Sequence, residues 1–149
     1  MSKVTIISGS TLGNAEYIAE YVAGILEHQG FSTNILHGAE LTDLNQEGMW
    51  LLVSSTHGAG DLPENLQPLL SALMTQSPSL SAVTFGAIGI GSSEYDTFCG
   101  AIDILSRQLE ILGAKRIGEV LKIDITQHET LEVPAEAWMI EWIRKMQTY

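Results

Sequence analysis

Short apolar runs alternate with stretches of helical periodicity along the whole chain. Apolar runs typical of strands occupy residues 4–7, 31–36, 49–53, 83–91 and 117–125. Between and after them, the residue pattern predicts helices over 15–26, 63–76, 98–112 and 134–146. Strands that alternate with helices indicate a parallel α/β sheet, and the continuous apolar run 49–53 is typical of a strand covered on both faces.

Three of the loops that follow these strands are polar and rich in glycine. They come after the first, third and fourth strands and read SGSTLGN at 8–14, SSTHGAGD at 54–61 and GSSEYD at 91–96. In parallel α/β sheets, ligands bind beyond the carboxyl ends of the strands. We therefore expect the three loops to form one binding site.

The first loop lacks the residues of the common nucleotide-binding motifs. Only three residues separate Gly9 from Gly13, and Asn14 stands where a nucleotide triphosphatase needs lysine. The glycine pattern of a dinucleotide-binding fold is also missing. Ser8 and Ser54 end strands at which a phosphorylated receiver domain would need carboxylates. These three classes are excluded.

Neutral hydrogen-bond donors remain in this loop. They are the hydroxyls of Ser10 and Thr11, the amide of Asn14 and backbone N–H groups through Ala15. Such donors at a helix N-terminus suit a phosphate that is held and never transferred. An ordinary turn and helix cap would use the same residue types.

Composition limits the partners of the chain. A single domain spanning 1–149 is expected, with no apolar run long enough to cross a bilayer and no signal peptide. The net charge of −11 argues against binding to nucleic acid or to anionic membranes, and suits either a basic partner or simple solubility. One cysteine, Cys99, fits the cytoplasm, and the histidines show no metal-ligand spacing.

Together the three loops resemble flavodoxin motifs in order and separation. The matching stretches are GSTLGNAE at 9–16, STHGAGD at 55–61 and GIGSSEYDTFCGA at 89–101, and GAKRI at 113–117 is similar to the FMN domains of diflavin reductases. Without a long insertion in the fifth strand, the chain is identified as a member of the short-chain flavodoxins. The resemblance implies a flavodoxin-like three-layer α/β sandwich with strand order 2-1-3-4-5, and FMN as the cofactor.

The resemblance also implies which residues contact FMN. The phosphate would lie on the first loop, and the isoalloxazine ring between the second and third loops. The implied contacts are Ser10, Thr11, Leu12, Gly13, Asn14 and Ala15; Ser55, Thr56, His57 and Gly58; and Gly91, Ser92, Glu94, Tyr95, Phe98 and Cys99.

Four of these residues have individual expectations. Tyr95 is the candidate for stacking on the ring. His57 stands where related domains often carry an aromatic residue, so it either covers less of the ring or hydrogen-bonds within its loop. Gly58 would let its peptide turn a carbonyl toward the flavin N5–H, which implies transfer of one electron at a time. Cys99 is expected to pack under the loop rather than to act as a nucleophile.

Acidic residues are expected around the cofactor edge, where they would disfavour the anionic reduced flavin and attract a basic partner. They are Asp61, Glu64, Glu94, Asp96 and Asp124. The implied function is a cytoplasmic electron carrier, a monomer or weak dimer, without catalytic residues or metal. It would shuttle single electrons from a flavodoxin or ferredoxin reductase to an acceptor enzyme.

The sequences at 8–13 and 54–61 are most similar to one bacterial subgroup, which implies electron supply to biotin synthesis. Two alternatives stay open. An FMN-dependent reductase of small molecules such as quinones would oxidise NAD(P)H unaided. A non-redox interaction protein would not bind FMN.

Overall fold

The computed structural model describes residues 3–10, 13–56, 61–94, 99–127 and 130–147. Within these ranges the strands are β1 (Lys3–Gly9), β2 (Ser32–His37), β3 (Gly48–Ser55), β4 (Val83–Gly91), β5 (Lys115–Arg116) and β6 (Leu121–Asp124). The helices are α1 (Asn14–His28), α2 (Gln67–Gln76), α3 (Gly100–Ile111) and α4 (Glu132–Gln147), with 3₁₀ turns at Leu41–Asp43 and Glu64–Leu66.

All strand pairs are parallel, and the order is β2-β1-β3-β4-β5, with β6 also beside β4. This confirms the predicted parallel sheet and its 2-1-3-4-5 order. The register aligns Gly9 with Ser54 and Gly91 with Asp124. The carboxyl ends of β1, β3, β4 and β6 therefore lie along one edge of the sheet.

Helices cover both faces of the sheet and make a three-layer sandwich. Helices α1 and α4 pack on one face, and α2 and α3 pack on the other. Alternate residues of β3 supply both cores, with Trp50 and Leu52 facing α2 and α3, and Leu51 and Val53 facing α1 and α4. These four side chains are at most 1% exposed, which confirms that β3 is covered on both faces.

Glycines in β4 let the helices approach the sheet closely. A Cβ at Gly86 would lie 2.5 Å from the indole nitrogen of Trp142 in α4, and a Cβ at Gly89 would lie 2.4 Å from Cγ2 of Ile102 in α3. Any side chain at either position would displace a helix. The alternate glycines of this strand thus serve helix packing on both faces.

The prediction of one continuous fifth strand over 117–125 was wrong. Two short strands pair with β4 instead, Lys115–Arg116 and Leu121–Asp124. Gly118 lies between them with φ +76°, a left-handed conformation that breaks an extended strand. The last helix begins two residues before the predicted Pro134.

The other differences are local. The predicted 63–76 helix begins as the 3₁₀ turn Glu64–Leu66, and α3 begins at Gly100 because Cys99 is left-handed, with φ +53°.

Among the described helices, none combines the length and apolar character needed to cross a membrane.

Candidate cofactor site

The first loop leads into α1 through a glycine in a left-handed conformation. Gly13 precedes the helix with φ +89°, and Tyr17 N–H donates to its carbonyl at 3.0 Å. The N–H of Gly13 donates to Ser10 Oγ at 2.9 Å, and the Ser10 hydroxyl donates in turn to Glu16. Ser10 therefore ties the loop to the first turn of α1.

The start of α1 has the donors that an anion needs. The first backbone N–H groups of a helix have no acceptor within the helix, and the helix dipole places partial positive charge there. Asn14 is exposed at this end, while the side chain of Ala15 is fully buried and anchors the turn to the core. Among the described residues of the first loop, Ser10 and 13–15, no side chain is cationic. A phosphate here would be held by neutral donors.

The end of β1 is fixed from two sides. Ser8 is buried, and its hydroxyl shares a hydrogen bond with Nδ1 of His37, the last residue of β2. Gly38 N–H donates to the Ser8 carbonyl at 2.8 Å. A Cβ at Gly9 would lie 2.3 Å from Cγ of buried Leu66, so the loop begins at a position that accommodates only glycine.

Thr56 connects the second loop to the start of α3. Its N–H donates to the Ile90 carbonyl at 3.0 Å, which continues the pairing of β3 with β4. Its hydroxyl oxygen accepts a hydrogen bond from Ala101 N–H at 3.3 Å. Half-buried Ser55 precedes it, and Ser54 Oγ donates to the Ser55 carbonyl at 2.9 Å.

The third loop begins at Gly91, where the chain lies close to Cys99. A Cβ at Gly91 would lie 3.2 Å from both N and Sγ of Cys99, so glycine leaves room for the chain to return to α3. Cys99 is fully buried, and burial raises the pKa of its thiol to about 12. A buried neutral thiol is a packing group, as predicted, and a poor nucleophile.

Asp124 organises the start of the third loop. Its Oδ1 accepts hydrogen bonds from Ser93 N at 3.2 Å, Thr126 N at 3.0 Å and Thr126 Oγ1 at 2.7 Å. The hydrogen bonds from Ser93 and then Thr126 hold the pKa of this carboxyl far below its usual range. Ile125 N–H donates to the Gly91 carbonyl at 2.9 Å, which joins the ends of β4 and β6.

The structure thus places Asp124 at the predicted edge but buries it at 7% exposure. Its carboxylate holds loops together and adds little to the exposed acidic surface. Asp61, Glu64 and Glu94 are exposed near the same edge, and Glu94 N–H donates to Ser92 Oγ at 3.2 Å. The sequence alone did not reveal the links made by Thr56, Ser93 and Thr126.

Several predicted contacts lie outside the described residues. They are Thr11, Leu12, His57, Gly58, Tyr95, Asp96 and Phe98. The stacking of Tyr95, the ring contact of His57 and the peptide turn at Gly58 stay predictions. Within the described part of the chain, no cluster of three or more His, Cys, Asp or Glu could hold a metal ion.

Polar loops follow the carboxyl ends of three parallel strands, and the start of α1 offers backbone donors there. This arrangement is typical of doubly wound α/β proteins, which bind ligands at that edge of the sheet. A sequence model described as Flavodoxin matches residues 6–138, and the chain belongs to the flavodoxin family. It is 60% identical over 143 residues to Protein MioC of Escherichia coli O157:H7, covering 96% of this chain and 97% of that protein.

Two further comparisons agree with this assignment. A MioC homolog of Haemophilus influenzae is 48% identical over 140 residues, covering 94% of this chain and 96% of that protein. A solved structure of a cysteine-to-serine mutant of flavodoxin from Pseudomonas aeruginosa superposes with a TM-score of 0.89 at 35% identity, covering 97% of this chain and 99% of that one.

Membership of this family makes FMN the cofactor and electron transfer the general function. The described residues fit the phosphate end of FMN, because the start of α1 offers neutral donors for a terminal phosphate. Flavodoxins carry electrons rather than catalyse a substrate reaction.

Proposed function

We propose that this protein carries single electrons from a flavodoxin or ferredoxin reductase to an acceptor enzyme. The observation that supports this most strongly is that the ends of β1, β3 and β4 align at one edge, each followed by a polar loop. Bound FMN supplies the redox chemistry, because its ring accepts and returns electrons. The protein's own residues bind it, shape its surroundings and attract partners.

The phosphate end of FMN would lie at the start of α1. Asn14 and Ala15 would offer backbone N–H groups. Gly13 N–H and the Ser10 hydroxyl, which donate to Ser10 Oγ and to Glu16 in this structure, would turn to the phosphate when FMN binds. The ring would lie toward the loops after β3 and β4, whose positions are fixed by Thr56 and Asp124. The remaining residues of the proposed contact set are Thr11, Leu12, Ser55, Thr56, His57, Gly58, Gly91, Ser92, Glu94, Tyr95, Phe98 and Cys99.

The exposed carboxylates at this edge would serve two purposes. Asp61, Glu64 and Glu94 are exposed, so their negative charge would disfavour an anionic reduced flavin by Coulomb repulsion. The same charge would speed encounter with a basic partner, and the effect would weaken as salt is added.

One experiment separates the carrier from its alternatives. The protein is mixed with FMN, desalted and examined by visible absorption, and NADPH is then added with and without a purified ferredoxin reductase. A carrier retains one FMN and is reduced only when the reductase is present. Reduction by NADPH alone, accelerated by a quinone, would identify a small-molecule reductase. A colourless protein after desalting would identify a non-redox interaction protein.

We propose an enzyme of biotin synthesis as the first acceptor to test, in the cytoplasm. The support is the similarity of 8–13 and 54–61 to one subgroup of short-chain flavodoxins. The reduced protein is incubated with purified biotin synthase and its substrates, and biotin is measured. No biotin above a control without the carrier would remove this acceptor and leave the carrier function in place.

A further inference from the structure

Helices α1 and α4 lie side by side on one face of the sheet and are joined by two matching hydrogen bonds. Tyr17 Oη donates to Glu132 at 2.7 Å, and Tyr21 Oη donates to Glu136 at 2.9 Å. Each helix advances by four residues, about one turn, between the two bonds. The helices therefore run in parallel register, with a surface groove of about 640 Å³ between them.

The groove is lined by apolar side chains together with two carboxylates. Its described lining is Glu20, Tyr21, Gly24, Ile25, His28, Gln29, Glu136 and Ile140. Ile140 is 54% exposed. Tyr17 and Val133, which lie nearer the starts of α1 and α4, are 55% and 65% exposed. Exposed apolar side chains grouped beside carboxylates are typical of a surface that binds another protein.

Hydrogen bonds from tyrosine hydroxyls hold two carboxylates of this surface in place. Glu132 and Glu136 each accept a tyrosine hydroxyl, and the bond from Tyr17 lowers the pKa of Glu132. Glu20 lies 3.9 Å from Nε2 of His37. No lysine or arginine is among the described residues that line the groove.

The cations of the chain lie mostly outside this surface. Arg144 follows Ile140 by one helical turn and pairs with Glu141 at 3.4 Å. Of the seven lysines and arginines in the chain, only Lys3 precedes residue 107. The part of the chain that contains α1 is therefore strongly negative, whereas the part that contains α4 is close to balanced. The charge on the α1 side favours a partner with the opposite sign.

The groove lies along the helices beyond the cofactor edge, because its α1 lining begins at Glu20 and continues to Gln29 at the end of the helix. Both α1 and α4 follow strands whose carboxyl ends form that edge, so the helices begin there and run away from it. A partner segment in the groove would contact this helical face, and the exposed side chains of Tyr17 and Val133 lie between the groove and the cofactor edge.

We propose that the α1–α4 groove is a docking site for a cationic, apolar-tipped segment of the reductase, which places basic side chains against Glu20 and Glu136 and an apolar side chain between Ile25 and Ile140. This inference rests on the proposed carrier function. It adds a second contact surface, on a helical face, to the exposed acidic residues at the cofactor edge.

The test compares two double variants with the same change in net charge. Glu20→Gln with Glu136→Gln neutralises the groove, and the amide oxygen at 136 can still accept from Tyr21. Glu47→Gln with Glu119→Gln neutralises two carboxylates elsewhere. At low ionic strength, the KM of the reductase for the groove variant should rise roughly five- to tenfold, with little change for the control pair. The difference should vanish near 1 M salt, where the screening length is about 3 Å.

The apolar contact is tested separately. Ile140→Gln should raise KM several-fold at every salt concentration, whereas Ile111→Gln, on the opposite helical layer at 68% exposure, should not. Bound reductase should also slow hydrogen exchange in 21–28 and 136–140. FMN binding and light-driven reduction should be the same in all variants.

Two failures are distinguishable. If the reductase does not reduce the wild-type protein, the carrier function itself is wrong. If it reduces the wild type and all variants with equal KM, and leaves the α1 and α4 exchange rates unchanged, the carrier function stands and the docking groove is refuted.

Discussion

Replacing Gly9 with alanine tests whether packing dictates the residue that begins the first loop. The new Cβ would lie 2.3 Å from Cγ and 2.5 Å from Cδ1 of Leu66, and 2.8 Å from Asn65 Oδ1. Leu66 is fully buried and cannot turn into solvent. Overpacking of this kind costs about 1–3 kcal/mol of the free energy of unfolding. For a chain of this size that lowers the melting temperature by roughly 2–12 °C.

A double-mutant cycle isolates this contact. Leu66→Ala alone should cost about 2–5 kcal/mol, because it leaves a cavity between β1 and the core on the α2 and α3 side of the sheet. In the double variant the alanine methyl at position 9 enters the space that Leu66 leaves. The combined cost should therefore be smaller than the sum of the two single costs by about 0.5–3 kcal/mol.

Urea unfolding followed by circular dichroism measures each free energy of unfolding. Gly24→Ala is the matched control, since a Cβ at Gly24 meets nothing within 4 Å and its φ is not positive. In the interior of α1 that change should stabilise the protein by about 0.5–1 kcal/mol. A Gly9→Ala variant as stable as the wild type, or a cycle with additive costs, would refute the packing argument.

Three further predictions concern the cofactor site. Because the folded-state pKa of Asp124 is depressed, this carboxylate stabilises the fold above its unfolded-state pKa of about 3.9, and the stabilisation is lost as the pH falls below that value. Asp124→Asn should therefore make the free energy of unfolding, measured in urea, less dependent on pH in the acid range. An unchanged pH dependence there would contradict this prediction. Gly13→Ala places a side chain at φ +89°, which costs about 1–2 kcal/mol. This change should raise the FMN dissociation constant, measured by flavin fluorescence, about tenfold. The control Gly48→Ala, at φ +90° and at the opposite edge of the sheet, should destabilise the protein by a similar amount without weakening FMN binding. Burial raises the pKa of Cys99 to about 12, so at pH 8 a disulfide reagent should label this thiol only after urea unfolding, and rapid labelling of the native protein would show that it is accessible.

The residue pattern predicted the β4 strand to the residue, and most other boundaries to within a few residues. Continuous apolar runs such as 49–53 have one stable location, between two helical layers, so their placement needs no tertiary information. The fifth strand failed because 117–125 has a strand-like composition. Its break depends on the φ of Gly118 and on the hydrogen bond from Ile117 N–H to the Phe85 carbonyl at 2.8 Å.

The roles of individual polar residues were also hard to predict. In the sequence, Asp124 cannot be told apart from the other acidic residues, yet it accepts a hydrogen bond from Ser93, 31 residues earlier. Thr56 bonds to the start of α3, 45 residues later. Such partners are determined by which strand ends meet, and no local sequence pattern specifies them.

The sequence by itself determined the class of this protein, because alternating strands and helices, neutral phosphate-loop residues and three motifs in order are local properties. The tertiary structure decided which loops are joined, which carboxylates are buried, and that α1 and α4 lie parallel with a tyrosine–glutamate pair at each of two turns. The two pairs join residues 115 positions apart in the chain. Their energies arise only when the sheet has brought the helices together, because the closure of so long a loop must first be offset by packing.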